Sequence, residues 1–190
     1  MKYDRKRLRS IGTGLFWLLL VGVLVYRAAP QVQAAMGGGG EGAPAPLLSG
    51  RTIDGAPYDL REYAGHVVLV NFWATWCPPC RVEMPGFQRV YEDRRDDGFV
   101  VLGLSMDATG VAPVREFLDE RGITFPVAMA GPEARRAFED VSALPTSYLI
   151  DRQGRIRHVV KGFFAEPALR AAVDRLLAES SGDGDEVDDG

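Results

Sequence analysis

Residues 67–80 have the sequence VVLVNFWATWCPPC, and this stretch decides the fold. Its first half, Val67–Trp73, is a continuous apolar run rich in β-branched residues, which is typical of a central strand buried on both faces. Apolar residues at helical spacing follow in Pro78–Arg95. Cys77 and Cys80 are the only cysteines of the chain, and they lie where the strand gives way to the helix.

The chain on both sides of this stretch continues to alternate between strand and helix patterns. A second buried strand is predicted at Phe99–Ser105, and a small β-hairpin at the domain edge within Leu47–Leu60. Helices are predicted at Val111–Arg121, Glu133–Asp140 and Glu166–Glu179, and a second hairpin at Ser147–Ile150 and Ile156–Val160 around the turn Asp151–Gly154. The pattern predicts one α/β domain with a central mixed sheet and helices on both faces.

Length and composition restrict the class of protein. A chain of 190 residues has room for one ordinary domain with appendages. Its hydrophobic content of 46% and net charge of -4 describe a globular protein. Because no strongly basic surface is indicated, we expect no nucleic-acid partner.

The N-terminus combines a basic end with an apolar run. Residues 1–10 carry five basic side chains and one acid, and residues 11–29 are uncharged apart from Arg27. As a helix this run would be about 28 Å long, close to the roughly 30 Å of a hydrocarbon core. A basic end ahead of an apolar run stays in the cytoplasm, so we predict a cytoplasmic end at 1–10 and a single transmembrane signal-anchor helix at 11–29. A secretory signal cleaved near residues 32–34 is the alternative.

Both alternatives place the rest of the chain on the periplasmic or extracytoplasmic side of the inner (plasma) membrane of a bacterium. Residues 30–46 combine glycines and prolines with little apolar surface, and we predict a flexible linker there. The folded domain is predicted at 47–179. Residues 180–190 are mostly acidic, serine and glycine, so we predict a solvated, disordered tail.

The two cysteines occur as Cys-Pro-Pro-Cys. In an exported protein they could form a structural disulfide, but so short a loop would contribute only about 2 kcal/mol. At the N-cap of a helix, the sulfur of Cys77 would face backbone N–H groups and the positive end of the helix dipole, which favour thiolate over thiol. We therefore predict a redox pair in which Cys77 attacks a disulfide and the more buried Cys80 resolves the mixed disulfide.

The two prolines bear on the direction of the reaction. Pro78 fits the first helical position, where its missing N–H is not needed. Pro79 fits the second position and removes an N–H from which an N-cap side chain normally accepts. The Cys77 thiolate should therefore be stabilised less than in strongly oxidising proteins, and we expect a reducing domain.

Several motifs together resemble the thioredoxin superfamily: WCPPC after VVLVNFWAT, Pro85 inside the following helix, and Leu-Pro-Thr-Ser at 144–147 before a strand. More narrowly, NFWATWCPPCRVEMP and SALPTSYLIDRQGRI are similar to the TlpA and ResA type of membrane-anchored thiol-disulfide oxidoreductases. The resemblance covers the predicted domain, 47–179. It implies a thioredoxin-like fold with an added N-terminal β-hairpin, and no cofactor.

The resemblance also implies roles for individual residues. Pro145 should follow a cis peptide bond, which would place the backbone of Leu144 beside the cysteines. Asn71 stands where thioredoxins carry a buried aspartate, and Glu83 matches a glutamate three residues after the second cysteine in the ResA-like branch. Near Cys80 and desolvated, its pKa would rise into the range useful for proton transfer; the alternative is a solvated helix glutamate. The implied substrate-binding surface consists of Trp76, Pro78, Pro79, Leu144, Pro145 and Thr146.

The function implied is reduction of disulfides in exported proteins, with electrons from a membrane thiol donor. Apocytochrome c, in cytochrome c maturation, is one such client. A membrane-tethered metal or haem-protein assembly chaperone is an alternative, although His66 and His158 lack a metal-ligand spacing. A peroxiredoxin-like peroxidase is another, but it needs a threonine three residues before its cysteine, whereas Thr75 lies two before Cys77.

Overall fold

The computed structural model of the protein describes residues 41–138 and 141–179. Its strands are β1 (Ser49–Arg51), β2 (Pro57–Asp59), β3 (Val67–Trp73), β4 (Phe99–Ser105), β5 (Val127–Met129), β6 (Thr146–Ile150) and β7 (Ile156–Lys161). Its α-helices are α1 (Pro78–Arg94), α2 (Val111–Arg121), α3 (Pro132–Ala137) and α4 (Glu166–Glu179). Within the two described ranges, no helix has the length and apolar character needed to cross a membrane. The predicted segments 1–10, 11–29 and 180–190 lie outside those ranges.

Five strands form one mixed sheet in the order β5-β4-β3-β6-β7. β3 is parallel to β4 and antiparallel to β6. β4 is parallel to β5, and β6 is antiparallel to β7. Every residue of β3 is buried. The predicted mixed sheet with a central strand buried on both faces is confirmed.

Alternate residues of β3 contribute to two separate halves of the core. Val67, Leu69 and Trp73 belong to a cluster formed with α1, α2 and α4. Val68 and Phe72 belong to a second cluster, formed with α3 and the β1–β2 hairpin. The main helical contacts of the first cluster are Met84, Phe87 and Val90 from α1, Val114, Phe117 and Leu118 from α2, and Leu169, Val173 and Leu176 from α4. Helices therefore cover both faces, as the alternating pattern predicts.

The third helix is shorter than the sequence predicts. The prediction is Glu133–Asp140, but the helix begins at Pro132, and Phe138 is already extended, with φ −94° and ψ 95°. The ring of Phe138 is fully buried against Phe72 and Tyr148. A helical Phe138 would direct its ring differently, so packing of this ring accounts for the early end of α3.

The predicted N-terminal hairpin is present. β1 and β2 pair antiparallel, with Ser49 opposite Asp59 and Arg51 opposite Pro57. They form a separate two-stranded sheet. At the tip of this hairpin, the N–H of Ile53 donates to the carbonyl of Val127 at 2.8 Å, so the hairpin lies at the β5 edge of the central sheet.

Hydrogen bonds to the central sheet begin before the predicted domain boundary. The N–H of Gly42 donates to the carbonyl of Ile156 at 2.7 Å, and the N–H of Ile156 donates to the carbonyl of Ala43 at 2.8 Å. The last part of the segment 30–46, predicted as a linker, is therefore bonded to the beginning of β7. Residues 30–40 lie outside the described part of the chain.

We expect alanine at position 103 to destabilise the fold. A Cβ at Gly103 would lie 3.0 Å from Cγ2 of Val127 and 3.1 Å from Nε1 of Trp73, both in the packed core. Overpacking of this kind costs about 1 to 3 kcal/mol. Chemical denaturation of Gly103→Ala should show this loss. Gly131→Ala is the matched control, because nothing lies within 4 Å of a Cβ at Gly131; equal stabilities of the two variants would contradict the packing account.

Candidate active site

The two cysteines lie between the end of β3 and the first turn of α1. Cys77 is the N-cap of α1, and a disulfide joins it to Cys80, which is the more buried of the two. The N–H of Cys80 donates to the sulfur of Cys77 at 3.4 Å. Pro78 and Pro79 occupy the first two helical positions and have no N–H. The N–H of Cys80 is therefore the donor that the first turn of this helix offers to the Cys77 sulfur.

A groove of about 410 Å³ opens beside Cys77. Its lining consists of Trp76, Cys77, Pro78, Pro79, Met106 and residues 141–144. The peptide bond between Leu144 and Pro145 is cis, as the resemblance implies. The carbonyl of Pro145 accepts the N–H of Gly162 at 2.8 Å, so the segment after β7 is held against the loop that precedes β6.

Four of the six predicted substrate-binding residues line this groove. Pro145 directly follows the last lining residue, and Thr146 does not contribute its side chain. Thr146 is fully buried, and its hydroxyl donates to the carbonyl of Ala143 at 2.8 Å. The side chain therefore lies beneath the loop and holds its shape. The reason is that Thr146 opens β6, whose five residues are all buried.

Glu83 lies in the core, one turn into α1 from Cys80. Its side chain is 2% exposed. Oε1 accepts from Nδ2 of Asn71, and Oε2 accepts from the backbone N–H of Phe164, each at 3.0 Å. The same amide of Asn71 donates to the hydroxyl of Ser147 at 3.0 Å. The carboxyl group thus joins α1 to β3 and to the segment before α4, and it is not the solvated helix glutamate of the alternative interpretation.

Burial raises the pKa of the Glu83 carboxyl from 4.5 to about 7. Desolvation is the main cause, because it disfavours the charged form. The hydrogen bonds from Phe164 and Asn71 favour the charged form and offset part of this rise. A carboxyl with a pKa near neutrality can both accept and release a proton under physiological conditions.

Sequence reasoning missed several groups at the site. Ser147 is the register partner of Asn71 in the sheet, and the presence of polar residues within two otherwise apolar strands was a usable signal for it. The N–H of Phe164 carries no such signal, because a main-chain contact leaves no trace in residue type. The sequence prediction left out Phe163, a large apolar residue just after β7 that is exposed. Helical spacing predicts Val82 on the buried face of α1, but its side chain is 67% exposed.

Stability should depend on pH through Glu83. The folded state favours the neutral carboxyl, so its stabilising contribution is complete below the unfolded pKa and is lost as the pH rises through about 7. Raising a carboxyl pKa from 4.5 to about 7 corresponds to about 3 kcal/mol. Denaturant titrations of the oxidised protein should show this loss. Between pH 4.5 and about pH 7, the free energy of unfolding of the wild type should fall by up to about 3 kcal/mol relative to that of Glu83→Gln. Glu116→Gln, at an exposed position of α2, should keep the wild-type pH dependence; a wild-type profile in Glu83→Gln would refute the assignment.

Comparison with known proteins adds independent evidence. A sequence model of the AhpC/TSA family matches residues 41–159. The chain is 31% identical over 165 residues to a protein named thiol-disulfide oxidoreductase ResA from Oceanobacillus iheyensis, with 85% of each chain covered. It is 32% identical over 179 residues to the Bacillus subtilis protein of the same name, covering 94% of this chain and 99% of that protein.

Solved structures of thiol:disulfide interchange proteins resemble this chain as well. A thiol:disulfide interchange protein of the thioredoxin family from Chlorobium tepidum superposes with a TM-score of 0.68 at 34% identity, covering 73% of this chain and 98% of that one. A putative thiol:disulfide interchange protein DsbE from the same organism gives a TM-score of 0.63 at 30% identity, covering 75% and 99%. With its thioredoxin-like fold and Cys77–Cys80 disulfide, the chain belongs to the AhpC/TSA family and is a ResA-like thiol-disulfide oxidoreductase.

Proposed function

We propose that the protein reduces disulfides of exported proteins. The observation that carries this proposal is the redox pair: a Cys-Pro-Pro-Cys disulfide at a helix N-terminus, beside a largely apolar groove, with the buried carboxyl of Glu83 behind it. A pair with a purely structural role would require neither the groove nor a carboxyl buried at this position.

The first half of the reaction uses Cys77. In the reduced protein, its thiolate attacks one sulfur of the client disulfide. A disulfide between Cys77 and the client forms, and the second client sulfur leaves as a thiolate. The apolar side chains of Trp76 and Leu144 line the groove at this point, and we assign to them the contacts with the client chain. The backbone of Leu144 can pair with an extended client segment.

The second half uses Cys80 and Glu83. The carboxylate of Glu83 accepts the proton of the Cys80 thiol, and the resulting thiolate attacks the sulfur of Cys77. The Cys77–Cys80 disulfide forms, and the first client sulfur leaves as a thiolate. Two electrons have then passed from the pair to the client, whose disulfide has become two thiolates. These thiolates take up protons from water, and Glu83 releases its proton to water. A carboxyl pKa of about 7 suits this proton transfer, because the group is partly ionised at neutral pH.

The oxidised pair needs an external reductant before the next cycle, and we assign this role to a membrane thiol donor. The basic end at 1–10 and the apolar run at 11–29 support attachment to the inner membrane, with the domain on the extracytoplasmic side. Clients would be exported proteins with disulfides, apocytochrome c in cytochrome c maturation among them.

The first turn of α1 supports reduction over oxidation. A thiolate at an N-cap is stabilised by the N–H groups that face it. Pro78 and Pro79 supply no N–H, so the reduced form of the pair is stabilised less than it would be in a helix with a free N–H at its second position. A less stabilised reduced form means a lower reduction potential and a better reductant.

The reduction potential tests this direction. Equilibration of the full chain against dithiothreitol and glutathione buffers should give a value near that of thioredoxin, about −270 mV. Pro79→Ala restores an N–H in the first turn and should raise the potential by about 30 mV, a tenfold change in the equilibrium. Pro85→Ala, the same change inside α1, should leave it unaltered. A wild-type value near −120 mV, as in strong oxidants, would reverse the proposed direction.

A client protein should also contact Phe163. Its side chain is 52% exposed, and hydrogen bonds hold the chain on both sides of it. The N–H of Gly162 donates to Pro145, and the N–H of Phe164 donates to Glu83. The ring is therefore presented next to the cis-proline loop by residues that belong to the active site.

We expect Phe163→Ser to slow reduction of a disulfide-containing protein about fivefold, which corresponds to about 1 kcal/mol of lost apolar contact. Reduction of a small disulfide such as oxidised glutathione should keep its wild-type rate. Leu47→Ser is the matched control, since Leu47 is 76% exposed but lines a separate cavity beside the N-terminal hairpin. Equal effects of Phe163→Ser on both substrates would exclude a client contact.

A further inference from the structure

The loop that leads into Cys77 is fastened to the neighbouring strand by a buried carboxylate. β3 and β4 run parallel, with Trp73 opposite Ser105. The N–H of Met106 donates to the carbonyl of Trp73 at 2.8 Å, so the two chains stay paired beyond the strands. Asp107 therefore lies beside Thr75, and Thr75 is two residues before Cys77.

Both carboxylate oxygens of Asp107 are engaged. The hydroxyl of Thr75 donates to Oδ1 at 2.5 Å, and the N–H of Thr75 donates to Oδ2 at 3.0 Å. The hydroxyl of Ser105 also donates to Oδ2, at 2.8 Å. Asp107 is 7% exposed. A carboxylate so far from water requires donors of this kind, because burying it without them is costly.

Thr75 lies at the centre of the turn from which Cys77 emerges. The N–H of Cys77 donates to the carbonyl of Ala74 at 3.2 Å and closes the turn. Thr75 thus has a backbone N–H that the turn does not use, and Asp107 accepts it. Next in the chain, Trp76 is exposed while Cys77 is buried. The clamp formed by Thr75 and Asp107 therefore fixes the position at which the chain turns inward to the reactive sulfur.

We propose that Asp107, acting through Thr75, is a positioning residue that keeps the Cys77 sulfur at the N-terminus of α1 when the pair is reduced. The proposal rests on the proposed role of Cys77 as the attacking thiolate. In the oxidised protein the bond to Cys80 holds Cys77 in place. Once that bond is broken, the non-covalent contacts of the turn must hold the sulfur near the helix N–H groups that favour the thiolate.

The test begins with Thr75→Val, which keeps the shape of the side chain and removes the hydroxyl donor. We expect the rate at which the reduced full chain attacks a small aromatic disulfide to fall about tenfold, because small displacements of a reacting atom have large effects on rate. The pH at which this rate reaches half its maximum should rise. Thr75→Ser, which restores the hydroxyl, should recover both properties.

Ser105→Ala is the matched control. It removes one hydrogen bond from the same carboxylate, together with the acceptor of the Asp107 N–H, but leaves both bonds to Thr75 in place. It should lower the free energy of unfolding about as much as Thr75→Val while its attack rate and pH profile remain those of the wild type. If Ser105→Ala slows attack as much as Thr75→Val, the cluster supports folding alone and the proposal is wrong.

Asp107→Asn completes the comparison. We expect it to slow attack, and we expect the double variant Asp107→Asn, Thr75→Val to be no slower than Asp107→Asn alone, because both changes break the same clamp. If the two substitutions instead slow attack independently, so that their effects on the rate multiply, the proposal is wrong. A wild-type protein that does not attack the disulfide at all would refute the proposed function of Cys77 instead, so the two failures are distinguishable.

Discussion

The direction of four adjacent strands is the constraint on which the active site depends. Because β3 and β4 are parallel, their carboxyl ends meet at the same edge of the sheet, and they bring Cys77 and Asp107 there. β6 is antiparallel to β3 and therefore begins at this edge, directly after Pro145. β7 is antiparallel to β6 and ends there, just before Phe163. Four segments distant in sequence thus meet at the edge of the sheet that carries Cys77.

The sequence is sufficient for the parts of this arrangement that depend on periodicity and turn chemistry. The apolar run of β3 and the helical spacing after Cys80 identify the strand and the helix that carry the pair, and the family resemblance identifies Glu83 as the acid near Cys80. The end of α3 could not be predicted, since Phe138 leaves the helix to pack on rings from β3 and β6. The inward orientation of Thr146 also depends on tertiary packing, because any residue at the start of a doubly buried strand must point into one half of the core.

The polar cluster around Glu83 shows how a hydrophobic core can hold a titratable group. Removal from water favours the neutral carboxyl, whereas the donors from Asn71 and Phe164 favour the carboxylate. Neither influence is strong enough to fix the protonation state, and the balance falls close to neutral pH. Asp107 is buried to a similar degree, but three donors surround it. Each of these carboxyls thus joins segments that are far apart in the sequence.

The contact between Glu83 and Phe164 comes from the main chain. The N–H of residue 164 is supplied by every amino acid except proline, and the same is true of the N–H of residue 162 that binds Pro145. The side chain of Phe163, which lies between them, is exposed, so mutations at position 163 can change the surface offered to other proteins while these internal bonds survive. Position 163 is therefore free to diverge between lineages, and new binding preferences can arise there without disturbing the proton-accepting group beneath.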